Sequence, residues 1–131
     1  MNKNRIDIKL EQLKAENPDY QPSLVFQHIP VPEFFDVLKT VPKGTKGAVP
    51  AYGAHENEYF VLNDETIVEG GFMLESPASP DVNTGEFEAM SEKGDVLGIY
   101  VGHDHNNSLV VKSKGVDLGD TQGAGINVYC P

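Results

Sequence analysis

The residues best suited to chemistry are three histidines that follow apolar runs of the chain. His103 and His105 stand two positions apart directly after Gly102, and His28 comes shortly after the run 23–26. Neutral imidazole is a common transition-metal ligand, and a glycine before the pair lets the backbone bend sharply. Functional side chains of one sheet tend to lie at the same edge, so we expect the three histidines near one another. Such a set suits zinc, manganese or iron better than calcium or magnesium.

The same histidines also have simpler interpretations. A single histidine at a strand end, such as His28, is more often structural than a ligand. Cupin metal sites also contain a glycine-preceded His-x-His, but a glutamate ligand soon follows it, and here no carboxylate follows His105 before Asp117. His55, in the sequence HENEY, resembles part of the zincin motif HExxH but lacks the second histidine, so we predict a solvated loop there.

Several polar side chains lie close enough in sequence to support such a site. Asn106 and Asn107 follow the histidine pair and carry amide groups that can orient an imidazole. Asp104, Asn106 and Asn107 are therefore expected beside a metal ligand or on the substrate side. Three carboxylates near apolar runs are candidates for supporting or helix-capping roles: Glu33, Asp36 and Glu75. Neither Ser79 nor Cys130 has a neighbouring base pattern, so a serine or cysteine nucleophile has little support.

The elements that must position these residues alternate between helix and strand. Apolar spacing and turn residues predict a helix from Ile6 that stops near Asn17-Pro18, and helices over 32–39 and 84–93, the last ending at Gly94. They predict strands over 23–26, 95–101, 108–112, 116–118 and 126–129, the first of them buried. Residues 41–50 are expected to form a loop, and 51–80 to be irregular with one short helix near 56–62. The fold class is α/β, with α+β as the alternative, built around a small sheet.

Composition limits the possible functions. With 131 residues, 39% hydrophobic and 23% charged, the chain is expected to form one domain, 1–131, with a core of its own. The net charge of −10 opposes direct binding to a phosphate backbone, so no nucleic-acid partner is expected. No apolar stretch is long enough to span a membrane, and residues 1–14 contain no signal-peptide pattern. Because Cys130 is the single cysteine, we expect a cytoplasmic protein.

Two blocks of sequence resemble a known family. Residues 102–107 (GHDHNN) are similar to the block that closes the domain of calcineurin-like metallophosphoesterases. Residues 26–33 (FQHIPVPE) are similar to the preceding single-histidine block of the branch related to purple acid phosphatases. The segments 115–119 and 123–129 also resemble that branch, so the likeness extends over nearly the whole chain.

The resemblance implies a hydrolase of phosphomonoesters or phosphodiesters, in which two metal ions bridge the attacking hydroxide. It also implies that His28 and His103 ligate one metal and that His105 ligates the other. The family's earlier motifs, D-x-H, G-D-x-x-D and G-N-H-[DE], are absent from the chain. The sequence therefore resembles the C-terminal half of the catalytic domain, without the bridging carboxylate and the histidine acid.

Without those anionic ligands, two cations held close together would repel strongly, so we expect at most one metal ion and negligible hydrolysis. Half of a β-sandwich would leave an apolar sheet face exposed, which predicts self-association or pairing with a missing N-terminal half. Two function classes stay open. One is an enzyme segment that acts on a phosphoester when complemented, and the other is a non-catalytic remnant or small metal-binding module.

Overall fold

The computed structural model describes residues 22–124, together with residues 8, 11, 12, 15, 16 and 19. The described strands are β1 (Ser23–Phe26), β2 (Lys39–Thr40), β3 (Val49–Pro50), β4 (Tyr59–Val61), β5 (Ile67–Met73), β6 (Val96–Val101), β7 (Asn107–Ser113) and β8 (Val116–Asp120). The described helices are α1 (Phe34–Val37), α2 (Glu86–Lys93) and a 3₁₀ turn at Gly53–His55. Of the predicted helix that runs from Ile6 to near Asn17-Pro18, residues 8, 11, 12, 15 and 16 are described and are helical. The rest of that helix and the whole of the predicted strand over 126–129 lie outside the described residues.

The strands form two sheets, and the larger one positions the histidines. Its order is β1-β6-β8-β7-β5, in which β6 runs parallel to both β1 and β8 while β7 is antiparallel to both of its neighbours. The smaller sheet is antiparallel, with β4 between β2 and β3. Among the described residues strands predominate over helices, so the fold is α+β and rich in sheet, the second of the two predicted classes.

The core lies on one face of the large sheet. Phe34 of α1 and Phe87 of α2 are fully buried, as are Ile99, Val111 and Leu118 of three neighbouring strands. In β7 and β8 apolar residues alternate with more exposed ones, because successive side chains of a strand point to opposite faces. The two helices cover the apolar face, and Gly94 ends α2 in a left-handed conformation (φ 71°), as predicted.

The opposite face of the large sheet is open on the side of β1. Leu24 is 51% exposed and Phe26 75% exposed, so the prediction that this strand is buried is wrong. The Phe26 ring stacks on Tyr100 of the neighbouring β6 at a centroid distance of 5.8 Å. A methyl group added at Gly119 would lie 2.3 Å from the Tyr100 ring, so the glycine is what allows that ring to lie close to the sheet.

Sequence expectations failed mostly between residues 32 and 80. The predicted helix over 32–39 is a single turn, although Phe34, Phe35 and Leu38 are buried as expected. The helix expected near 56–62 is wrong, because this segment contains β4, whose Phe60 pairs with β2 on one side and β3 on the other. The expected loop ends in β3, the expected irregular segment contains β5, and β2 begins at Lys39, the last residue of the predicted helix. Among the described residues, no helix is long and apolar enough to cross a membrane.

Candidate functional site

Two of the predicted metal ligands meet at one edge of the large sheet. His28 lies just beyond β1 and His103 just beyond β6, and these neighbouring strands run parallel, so both residues leave the sheet at the same end. The Gly102 N–H donates to the His28 carbonyl oxygen at 3.3 Å, which ties the two loops together. The His28 Nε2 and His103 Nδ1 atoms are 3.0 Å apart, and the rings meet edge to face. Both side chains are exposed.

This separation suits a shared cation. In the absence of a metal, one imidazole donates a proton to the other, and the tautomers decide which. Two histidine nitrogens bound to one metal at about 2.0–2.1 Å each lie roughly 3 Å apart when the bonds make about a right angle. The His28–His103 nitrogen distance of 3.0 Å therefore already matches a pair of ligands to one ion. The donor set is imidazole, which favours transition metals over calcium or magnesium.

The third predicted ligand is placed in the same loop but outside this pair. His105 is half-buried, and its carbonyl oxygen accepts a hydrogen bond of 3.1 Å from the Gly123 N–H. Within the described part of the chain, no group of three or more His, Cys, Asp or Glu side chains is arranged to hold a metal ion. The pair of His28 and His103 alone offers two protein ligands to a metal ion. A complete metal site needs further ligands from outside the described residues or from solvent.

Asp104, between the two histidines in sequence, faces the interior. It is 4% exposed, and both of its carboxylate oxygens accept from the Ala78 N–H, at 3.1 and 3.2 Å. Burial raises the pKa of Asp104, and the nearby Glu75 carboxylate adds to this, against the Ala78 hydrogen bond that lowers it. Asp104 thus anchors the histidine loop to the segment that follows β5.

Asn107 and Asp120 complete this anchor. Asn107 is fully buried; its amide NH₂ donates to Asp120 Oδ2 at 3.0 Å, and its carbonyl oxygen accepts from the Leu74 and Glu75 N–H groups. Burial raises the pKa of Asp120 to about 7; repulsion from Asp104 and Glu75 adds to this, and the Asn107 bond opposes it. Among the described residues Asp120 Oδ1 is buried and has no hydrogen-bond partner. The interaction between the two carboxyl groups lowers the pKa of Asp104 and raises that of Asp120, so a proton shared by the pair resides preferentially on Asp120.

Of the other residues predicted to support the site, some contact the histidine loop and others do not. Asn106 is half-buried, and its backbone N–H donates to Glu75 Oε1 at 2.8 Å, so Glu75 supports the histidine loop. Glu33 occupies the N-cap position of α1 but makes no capping hydrogen bond there; it accepts instead from Asn83 Nδ2 at 2.6 Å. Asp36 is exposed on α1.

The residues around His55 are exposed, in agreement with the predicted solvated loop, but the His55 ring itself is packed. Its ring stacks on Phe35 with centroids 4.0 Å apart and meets Phe60 edge to face. The His55 Nδ1 atom lies 2.5 Å from Glu58 Oε2, which fixes the ring orientation. The 3₁₀ turn at Gly53–His55 brings this side chain back onto the apolar core, a result that the polar residues around it obscured.

Asp120 is the member of the site that sequence reasoning missed. The sequence did contain a signal for Asp120. Val116, Leu118 and Asp120 occupy every second position of β8 and therefore share its buried face. A carboxylate at the end of an apolar alternation predicts a buried ionisable group near a strand end. Its partner Asn107 was expected near the histidines, but as an orienting side chain rather than as the fully buried link between β5, β7 and β8.

The fold and the paired imidazoles thus define a sheet-rich α+β protein with a candidate metal-binding edge. Its sequence is 31% identical over 108 residues to "Probable inactive purple acid phosphatase 14" of Arabidopsis thaliana, covering 82% of this chain and 20% of the relative. It is 27% identical over 124 residues to "Probable inactive purple acid phosphatase 29" of the same plant, covering 93% of this chain and 25% of the relative.

These similarities extend over most of the chain, which is therefore related to proteins named as inactive purple acid phosphatases. The chain spans only about a fifth to a quarter of the length of the curated relatives that it matches. No family model matches the sequence, and no solved structure matches it.

Proposed function

We propose that this chain is a segment, 1–131, from the C-terminal part of a metal-dependent phosphoesterase domain of the calcineurin-like, purple-acid-phosphatase-related type. In the complete domain, His28 and His103 would ligate one divalent transition metal (Mn, Fe or Zn), and His105 would serve a second. The observation that carries the proposal is the 3.0 Å separation of the His28 and His103 ring nitrogens, which lie 75 residues apart in sequence. The relationship to proteins named as inactive purple acid phosphatases supports a phosphoesterase-related segment.

The chain's own residues hold and orient these ligands. Asp104 and Asn107 tether the histidine loop from beneath, so the imidazoles need little reorganisation before they bind a cation. A bound metal would supply Lewis-acid charge to a phosphoryl group. The described residues provide no further carboxylate to complete a metal-binding group with the histidine pair. We therefore expect at most one metal ion per isolated chain and negligible phosphoester hydrolysis.

Metal titration tests the ligand assignment. We expect calorimetry with Zn²⁺, and absorbance with Co²⁺, to show no more than one site per chain, and affinity to fall at least about tenfold in His28→Ala or His103→Ala. His55→Gln is the matched control, since that histidine is packed on Phe35 and should leave metal affinity unchanged. Equal affinity in the wild type and in both alanine variants would overturn the assignment.

Measurements of phosphoester hydrolysis distinguish an enzyme segment from a non-catalytic metal-binding module. Hydrolysis of p-nitrophenyl phosphate by the isolated chain with Mn²⁺ or Zn²⁺ is expected to stay at the level of the metal-only blank. Added polypeptide carrying the motifs D-x-H, G-D-x-x-D and G-N-H is expected to restore turnover, and His103→Ala should abolish it. Robust turnover by the isolated chain would refute its proposed inactivity. Metal binding without rescue by a correctly folded partner would favour the alternative, a non-catalytic metal-binding module.

The open side of the large sheet is the proposed association surface. Leu24 and Phe26 project from β1, at the edge of the sheet, beside the Tyr100 ring. Exposed apolar residues on an edge strand favour association with another chain. We expect the isolated protein to form dimers or larger species through this face, which the missing segment would cover in a complete domain.

Sedimentation equilibrium tests this surface. Phe26→Asp should shift the protein toward monomer, because it places a charge in the apolar contact. Val82→Asp is the matched control, since Val82 is 71% exposed but lies in the loop before α2. A wild-type protein that is monomeric at high micromolar concentration, or the same shift in both variants, would contradict the proposal.

A further inference from the structure

A second site lies apart from the paired imidazoles. A cleft of about 450 Å³ opens between the 3₁₀ turn and the loop that precedes α2. Its lining includes Phe35, Tyr52 and His55 on one side and the segment 77–81 on the other, with Asp36 and Asn83 among the polar residues. This volume lies within the range typical of small-molecule sites.

The walls of the cleft are held in place by contacts within the protein. Asp81 Oδ1 accepts a hydrogen bond of 2.9 Å from the Ala54 N–H, which joins the two sides. Gly53 has φ 60°, and a methyl group added there would lie 2.0 Å from Asp81 Oδ1, so the two segments approach as closely as a glycine permits. His55 is stacked on Phe35 and held by Glu58. The cleft is therefore largely formed before any ligand enters.

The charge of the lining selects the kind of ligand. Asp36 and Asp81 are both exposed carboxylates, and the described residues of the lining include neither lysine nor arginine. With a net charge of −10 on the chain, an anion such as a free phosphate would be repelled. An inorganic metal ion is also a poor fit, because the described residues include no group of three or more His, Cys, Asp or Glu side chains arranged to hold one.

The aromatic residues of the cleft further narrow the class of ligand that it can bind. Tyr52 is 70% exposed at the cleft although it is a large ring, and tyrosine is among the preferred partners in cation–π contacts. Tyr52, Asp36 and Asp81 all line this cleft. An aromatic ring face attracts organic ammonium groups, whose charge is spread over an apolar surface, and carboxylates of the same cleft would complement that charge. We propose that this cleft binds a small organic cation of the quaternary or substituted ammonium class.

The ammonium group can belong to a free cation or to the alcohol part of a phosphoester. Binding of a phosphoester in this cleft rests on the proposed function, and the location of the cleft in the fold allows it. Ala78 lines the cleft while its N–H donates to Asp104, the residue between His103 and His105. Pro32, also in the lining, lies four residues after His28. The cleft therefore shares two backbone segments with the histidine edge.

Ligand pairs test the charge requirement directly. Choline and its neutral carbon isostere, 3,3-dimethylbutan-1-ol, have nearly the same shape but differ in charge. Titration of the ¹⁵N-labelled protein should move the amide signals of Gly53, Ala54 and residues 78–83 with choline, and the neutral isostere should bind at least about fivefold more weakly. Equal binding of both ligands, or binding of neither at tens of millimolar, would overturn the proposal.

Substitutions test the residues. Tyr52→Ala should weaken choline binding at least about fivefold, whereas Tyr52→Phe, which keeps the ring, should bind within about twofold of the wild type. Asp36→Asn should weaken binding and reduce its dependence on salt concentration. Unchanged affinity in Tyr52→Ala, with the fold retained by circular dichroism, would refute the cation–π assignment.

Phosphocholine distinguishes the two sources of the ammonium group. If Zn²⁺ tightens phosphocholine binding and His103→Ala removes that effect, the phosphoester source is supported. If choline and phosphocholine bind alike with and without metal, the free cation is supported. Choline binding is expected to persist in His28→Ala and His103→Ala, so failure of the metal assignment leaves the cleft assignment standing and the two are tested separately.

Discussion

Asn107 and Asp120, on adjacent antiparallel strands, are joined side chain to side chain at 3.0 Å in a part of the protein closed to solvent. The same asparagine accepts two backbone N–H groups from the segment that follows β5, so one side chain connects three elements beneath the histidine loop. The sheet edge that carries the paired imidazoles is therefore held by a buried polar network rather than by apolar packing alone.

The first prediction removes that link. Asn107→Ala leaves the Leu74 and Glu75 N–H groups and a buried Asp120 oxygen without their partner, and such groups cost about 1–3 kcal/mol each when unsatisfied. We expect the free energy of unfolding in urea to fall by at least about 2 kcal/mol. Asn106→Ala is the control, since Asn106 contributes its backbone N–H to Glu75. Equal losses in the two variants would contradict the role of Asn107.

The second prediction concerns pH. The pKa of Asp120 is raised to about 7 in the folded protein, chiefly by burial, and that of Asp104 is also raised. Between about pH 4 and 7 the folded state therefore binds more protons than the unfolded state, so stability should fall as pH rises through this window and level off above it. The total decrease should be at least about 1.4 kcal/mol, the value of one pKa unit.

Asp120→Asn tests the source of this decrease. The neutral amide replaces the protonated acid, so the variant should show a flatter dependence of unfolding free energy on pH from 4 to 8 and should gain stability relative to the wild type at the alkaline end. Asp64→Asn, at an exposed position in the turn before β5, should keep the wild-type slope. The same slope in Asp120→Asn as in the wild type would assign the effect to other groups.

The third prediction addresses the open sheet face. Gly119→Ala would put a methyl group 2.3 Å from the Tyr100 ring, which forces the ring away from the sheet. Such overpacking typically costs about 1–3 kcal/mol, measurable as a lower thermal midpoint. Gly70→Ala is the control, because a methyl group there meets nothing within 4 Å. In a Tyr100→Ala background the cost of Gly119→Ala should shrink, and an undiminished cost would show that the ring is not the obstacle.

The sequence predicted those parts of the fold in which local pattern and tertiary structure agree. Short apolar runs that end at Phe26 and Val101 predicted β1 and β6, and because the strands are parallel neighbours the two histidines meet. Between residues 51 and 80 the strands are short or interrupted. In β5, Gly70 and Gly71 break the apolar pattern, and Gly71 leaves no room for a side chain because a methyl group there would lie 1.9 Å from the Ser108 carbonyl oxygen. That close approach is a tertiary contact, which periodicity does not encode.

The two candidate sites, the histidine pair and the cleft, also differ in how far the sequence predicts them. His28 and His103 were predictable from their residue type and their positions at strand ends. The cleft was not, because Tyr52, Asp81 and Phe35 come from three separate segments whose meeting depends on the 3₁₀ turn and on the loop before α2. The outward charge of Asp36 and the inward stacking of His55 follow from that arrangement and from no local motif.

The last prediction tests the bond that holds the cleft together. Asp81 and Ala54 are 27 residues apart, and the Asp81 carboxylate is the acceptor for the Ala54 N–H. Asp81→Ala removes this acceptor, so hydrogen exchange of the Ala54 amide should accelerate by roughly twofold to tenfold, the range expected for one hydrogen bond. Asp81→Asn retains a side-chain oxygen at the same position and should preserve most of the protection.

A second amide separates this local effect from a general loss of stability. The Ala48 N–H donates to the Thr45 carbonyl oxygen in a turn that makes no use of Asp81. Its exchange rate should be the same in the wild type and in both variants, since a local opening at Ala54 leaves that turn intact. Faster exchange at Ala48 and Ala54 together would mean that Asp81→Ala destabilises the whole fold. Unchanged exchange at Ala54 would mean that the carboxylate does not hold the two walls in solution.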